Sequence, residues 1–310
     1  MGGSGGGSYR QWRSESLKDA VRQDANIAAT QFESKLADLL SDLLATYNSR
    51  DADLVRRRLD AAKSALQDEL ETTLDQLLGG SVAKRTYVDG LSDVDSLLVV
   101  NGSRFEESSP PSILARMERI LRERLPKEID IGHGDMAVTL TYPDGMSVQL
   151  LPAIRTEQGL NVPAAGKSGW SEINPERFRE ALTRRNEECA GKLVPTIKLA
   201  KAVIGLIPEQ YRLTGYHVES LAIAAFAGYE GTKTSASMLP YFFERAKELV
   251  RSPIKDRTGQ SIHVDEYLGP ENSDVRRTTS HLLGQLAKRM RNASAAQSKD
   301  QWQSLFFADD

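Results

Sequence analysis

The 310-residue sequence holds a single cysteine, Cys189, so no disulfide can close within it and no cysteine-based zinc cluster can form. Its four histidines are scattered, and none has metal-ligand spacing. There is no P-loop and no G-x-G-x-x-G. No apolar run approaches the roughly 18 residues of a membrane span, and no secretory leader is recognised. The formal net charge is only −3, so no global basic field advertises nucleic acid; a polyanion site has to be a local patch. These absences point to the reducing cytoplasm and to a protein with no membrane partner. The opening MGGSGGGS, residues 1–8, has the composition of an engineered linker and is set aside.

What is present belongs to a globular chain, with 40% hydrophobic and 27% charged residues. Apolar residues from Phe32 to Tyr47 recur at spacings of three and four, the mark of an amphipathic helix. Residues 10–30 are polar, helical in propensity and weakly periodic. A second stripe, Leu54, Leu59, Leu66, Leu70, Leu74 and Leu77, predicts a helix that runs into Gly79-Gly80-Ser81. Together the helices of 32–78 are expected to brace the back of both halves. Strands are predicted at 95–100, 136–142 and 146–152. The last two flank Pro143-Asp144-Gly145, a hairpin signal. A helix is predicted at 111–124, and helices again at 175–190, 192–206, 216–229, 236–251 and 273–294.

The informative stretch is GGSVAKRTYVDGLSDVDSLLVV. Asp93 and Asp95 stand two apart at the head of an apolar run, so a strand places them on one face. Two such carboxylates repel unless a cation lies between them, and an all-oxygen site suits Mg²⁺. A Gly-Ser pair lets backbone N–H groups approach phosphate oxygens. Alone, a Gly-Ser pair after a helix is ordinarily a C-cap, and a lone D-x-D a solvated edge. The joint spacing, with eleven residues between Ser81 and Asp93, is the signal.

With these residues the sequence resembles the polymerase-beta-like nucleotidyltransferases, and most of all the cGAS/DncV-like enzymes that make oligonucleotides in bacterial anti-phage signalling. LLPAI, Trp170, Pro175, Phe178, KLVPTIKLAKAV, GYHVESLAIAAF, DRTGQSIHVDEYL and WQSLF follow in an order similar to that group's. The resemblance implies an α+β fold: a mixed-sheet nucleotidyltransferase core over 9–155, with N-terminal helices, and a helical nucleotide-binding region over 156–310. It implies that Asp93 and Asp95 hold Mg²⁺, or Mn²⁺. Gly80, Ser81 and Ser92 would contact the nucleotide, with Ser81 holding a terminal phosphate. Lys198 and Lys201, three apart on one helix face, would grip the triphosphate. Asn186 would bind ribose or backbone, and Tyr241 would stack on a base.

One position departs from the family pattern. A third carboxylate is expected three residues before the Pro of the LLPA strand, and Gln149 stands there. An amide coordinates Mg²⁺ less well and cannot serve as a general base. Three explanations stay open: a deliberate inactivating change, a natural branch that uses Gln, or loss of catalysis that leaves a nucleotide-binding protein. Asp135 and Asp144 fall at strand ends and do not substitute. Residues 275–291 carry Arg276, Arg277, Lys288, Arg289 and Arg291 with no acid, a candidate groove for nucleic acid. His217 and Cys189 read as packed residues.

Two classes of function follow. One is a template-independent enzyme that joins NTPs or dNTPs into a cyclic or linear oligonucleotide for a downstream effector protein. The other is a catalytically silent nucleotide or oligonucleotide sensor.

Overall fold

The computed structural model describes residues 8–48, 52–70, 73–78, 86, 88, 94–101, 108–156, 159–164, 169–257 and 263–307. Its architecture is α+β, as expected. Helix α1 (Ser8–Tyr47) joins the polar stretch and the amphipathic stretch into one element of 40 residues, about 60 Å long at 1.5 Å per residue. Helix α2 spans Ala52–Leu70. The strand β1 (Thr73–Leu78) then occupies residues expected to continue that helix. Leu70, Leu74 and Leu77 fit a helical stripe. However, the paired Thr72 and Thr73 are stiff β-branched residues, and antiparallel pairing with the next strand binds Thr73 through Leu78. Tertiary hydrogen bonding overrides the periodicity.

Strand β2 (Val94–Asn101), helix α3 (Pro110–Arg124), and strands β3 (Asp130–His133), β4 (Val138–Thr141) and β5 (Ser147–Arg155) follow. Gly145, at φ 84°, makes the turn of the β4–β5 hairpin. The strand order is β1-β2-β5-β4-β3, and β2 and β5 run parallel while their neighbours run antiparallel. Residues 156–174, expected to open the helical half, instead extend the sheet through β6 (Leu160–Pro163) and β7 (Trp170–Ile173). Each is four residues long, too short to show a period in sequence.

The helical half comprises α4 (Pro175–Glu188), α5 (Leu193–Gly205), α6 (Gly215–Ala225), α7 (Ser235–Leu249), α8 (Asp274–Ala295) and α9 (Lys299–Gln303). Side chains of Asn174, Thr214, Thr234, Ser273 and Ser298 cap five of these helices by accepting from backbone N–H groups in the first turn.

The bracing helices divide their work. Leu36, Leu39, Leu40 and Leu43 of α1 join the core of the helical half. Val55, Leu59, Ala62 and Leu66 of α2 pack with α3 on one face of the sheet. Arg58 of α2 pins the β4–β5 turn: it donates twice to the Asp144 carboxylate, at 3.0 and 2.8 Å, and lies 3.9 Å from the Tyr142 ring centre.

Candidate active site

The sheet register assembles the centre of the site. Asp95 of β2 stands opposite Gln149 of β5, and Gln149 stands opposite Thr139 of β4. Laterally paired residues share a face. The alternate residues Leu98, Val148, Leu150, Val138 and Leu140 are buried under α2 and α3, so the row Asp95–Gln149–Thr139 lies on the opposite face. Gln149 itself is half-buried. Leu78, the last residue of β1 and the one before Gly79-Gly80-Ser81 in sequence, pairs with Ser96, the neighbour of Asp95. Gly80, Ser81, Ser92 and Asp93 lie outside the described residues, as does the Asp95 side chain. Among the described residues no group of three or more His, Cys, Asp or Glu could hold a metal ion.

The two lysines of α5 differ in circumstance. Lys201 is 7% exposed, and its Nζ donates to Glu219 Oε1 of α6 at 2.8 Å and to the Thr86 carbonyl at 3.0 Å. Lys198 is half-buried and donates to Asn48 Oδ1, a neutral amide at the end of α1. Burial, and after it the charge of Lys201, lower the Lys198 pKa below the ordinary lysine value. An ammonium held this way is relieved by a polyanion.

The remaining expected contacts are engaged within the helical half. Asn186 Oδ1 accepts from the Val194 backbone N–H at 3.1 Å, in the first turn of α5. The Tyr241 ring packs against Tyr229 and Phe226, at centroid distances of 4.6 and 5.4 Å. The basic helix requires a correction. Arg276 is fully buried and donates to Asp265 Oδ2 at 2.7 Å and to the carbonyls of Val250, Gly269 and Asp265, so it is withdrawn from any nucleic-acid face. Arg277 pairs with Asp274, and Arg291 with Glu244. Lys288 and Arg289 stay on the exposed side. Acids beyond the 275–291 window supply these partners, and the window's own composition gives no sign of them. Cys189 is buried, which raises its thiol pKa, and His217 is buried as expected.

Sequence reading missed Glu219 and Thr86. The available signal was Glu219 itself, a carboxylate inside the apolar run VESLAIAAF.

The family model described as Second Messenger Oligonucleotide or Dinucleotide Synthetase domain matches residues 31–186. No curated protein matches the chain. Among solved structures, the Bradyrhizobium diazoefficiens CD-NTase CdnG in complex with GTP aligns with a TM-score of 0.64 at 17% identity, covering 89% of this chain and 96% of that one. E. coli CdnC with ATP aligns at 0.62 and 14%, covering 90% and 98%. The Vibrio cholerae cyclic AMP-GMP synthase DncV, in complex with a linear pppApG intermediate, aligns at 0.61 and 9%, covering 95% and 90%. At these identities the likeness is one of fold: a nucleotidyltransferase core followed by a helical region.

Proposed function

This chain belongs to the Second Messenger Oligonucleotide or Dinucleotide Synthetase family, and from that premise we propose that it is a template-independent nucleotidyltransferase making a nucleotide second messenger. Its substrates are nucleoside triphosphates, its product is a cyclic or linear oligonucleotide, and its setting is anti-phage defence, where an effector protein reads the product. The observation that carries this reading is the pairing of Asp95 with Gln149, which sets the second aspartate of the D-x-D beside the position the family uses for its third carboxylate. CdnC with ATP, CdnG with GTP and DncV with pppApG extend the same expectation to ribonucleotide substrates.

The donors suit a hard divalent cation. Asp93 and Asp95 offer carboxylate oxygens and Gln149 an amide oxygen, the ligand type Mg²⁺ takes. When bound, Mg²⁺ neutralises charge on the triphosphate. In this reading Lys198, whose partner is neutral, receives phosphate together with Ser81 and the Gly-Ser backbone.

The neutral amide at 149 supports a second reading, a silent nucleotide sensor on the same fold. Incubation with each labelled NTP and dNTP, with Mg²⁺ or Mn²⁺, separates the two. The enzyme reading expects labelled oligomer that disappears in Asp95→Asn. Tight nucleotide binding with no incorporation of any nucleotide supports the sensor and overturns the enzyme.

A further inference from the structure

We propose that Thr86, Glu219 and Lys201 form a clasp that fixes Thr86, which in sequence lies between the Gly-Ser pair and the aspartates, onto the helical half, with Glu219 a positioning residue. Thr86 Oγ1 donates to Glu219 Oε1 at 2.5 Å, Lys201 Nζ donates to the same oxygen at 2.8 Å, and Lys201 Nζ also donates to the Thr86 carbonyl at 3.0 Å. The clasp is closed to water: Thr86 is 0% exposed and Glu219 1%. Val88, two residues on, is buried as well.

Three observations support a positioning role. A buried ion pair is weak evidence for stability, since an apolar pair of similar volume often does as well. Here it sits among apolar neighbours one helical turn away, Ile197 and Ile204 on α5 and Ala222 and Ile223 on α6. Second, its reach is long-range: Thr86 meets Glu219 across 133 positions and Lys201 across 115. Third, Gly215 at the start of α6 abuts the lysine; a Cβ there would stand 3.3 Å from Lys201 Nζ. A side chain at 215 would crowd the ammonium.

The position of Thr86 in the chain gives the clasp its consequence. Thr86 follows Ser81 by five residues and precedes Asp93 by seven, so chain length alone holds Ser81 within ~18 Å and the aspartate within ~25 Å of the anchor. Fixing the middle of such a segment removes conformations it would otherwise have to surrender when a nucleotide binds. At least two hydrogen bonds commit the Lys201 ammonium to this task, and we assign the phosphate role to Lys198. Only that division of labour, and the kinetic arm of the test, rest on the function proposed above.

The test uses the full chain without nucleotide. Amide hydrogen exchange is followed in peptides spanning Thr86 and Val88, for wild type, Thr86→Val, Thr86→Ser and Glu219→Gln. We expect exchange there to quicken at least tenfold in Thr86→Val and Glu219→Gln, to stay at the wild-type rate in Thr86→Ser, and to be unchanged in α8. Equal rates in wild type and Thr86→Val, or equal rates in Thr86→Ser and Thr86→Val, overturn the clasp. Should Glu219→Gln not fold, the two threonine variants decide. In nucleotide incorporation, Thr86→Val is expected to raise KM about tenfold with kcat within twofold, and Thr86→Ser to restore it. Quickened exchange in a protein that incorporates nothing upholds the clasp and overturns the enzyme; an active protein with unaltered exchange does the reverse.

Discussion

Acid should destabilise this protein through a buried histidine of the helical half. His217 of α6 is 0% exposed. Its Nδ1 lies 3.0 Å from Tyr267 Oη and its Nε2 3.5 Å from Asp265 Oδ2, while Asp265 is already paired with Arg276 at 2.7 Å. Burial lowers the His217 pKa to about 4; attraction to Asp265 opposes the shift and repulsion from Arg276 adds to it. In the unfolded chain the same imidazole titrates near ~6.5. Between these values the unfolded state binds the extra proton, so stability is full above ~6.5 and declines as pH falls toward 4. The full shift corresponds to about 3 kcal/mol, and the step from pH 7 to pH 5 to about 2 kcal/mol. Denaturant unfolding of wild type and His217→Asn at pH 7, 6 and 5 measures this term, because titrations common to both proteins cancel in the difference. Wild type is expected to lose about 2 kcal/mol more than the variant over that range. Parallel profiles would refute the reasoning.

Four other outcomes are expected. Arg276→Met strands Asp265 as a buried carboxylate without its guanidinium, and should lower unfolding free energy by about 3–5 kcal/mol; a loss below ~1 kcal/mol by denaturant melt contradicts the network. Arg58→Ala removes the paired bonds to Asp144 and the Tyr142 contact, for about 1–2 kcal/mol. Because the Arg58 hydrogen bonds hold the Asp144 pKa down, that deficit is complete at neutral pH and shrinks as pH falls through the carboxylate range, which melts at pH 7 and pH 3 would track. Lys198→Ala should raise the KM for triphosphate by about tenfold while Lys198→Arg recovers part of it; an unchanged KM in initial-rate assays removes Lys198 from the phosphate site. Gln149→Glu places a carboxylate beside Asp95 and should lower the Mg²⁺ concentration needed for half-maximal incorporation; an unchanged Mg²⁺ dependence sets residue 149 outside the metal shell.

Most of the helical half could be read from sequence because its signals are local. Caps such as Thr214, Thr234 and Ser273 sit where the apolar period starts, and the helices begin within a residue or two of the expected positions. The β4–β5 hairpin was likewise legible in Pro143-Asp144-Gly145. Three kinds of feature were not. The strand β1 carries leucines at helical spacing, and only its partner β2 decides its state. The four-residue strands β3, β6 and β7 were not predicted, whereas the equally short β4 was marked by the alternation of 136–142 and the turn after it. The third kind is buried pairing between distant charges. Arg276 looks like one more surface base until Asp265 is brought against it, and nothing local in the sequence pairs Lys201 with Glu219 and Thr86. At the candidate site, the alternation that sets Gln149 apart from Val148 and Leu150 is a local property of one strand, while its pairing with Asp95 is a property of the whole sheet.

That parallel pairing also governs when the site can exist. Asp95 and Gln149 are 54 positions apart, and α3, β3 and β4 lie between them in the chain. The strand pairings on either side form over shorter loops: β1 folds back on β2, and β4 on β5 across a tight turn. Contacts that close long loops form late, because the entropy of closure must be met before the contact repays it. A chain emerging from synthesis can therefore hold most of its helix while half of the Asp95–Gln149 row has yet to be made. In refolding from denaturant, helical signal should return first and nucleotide binding last.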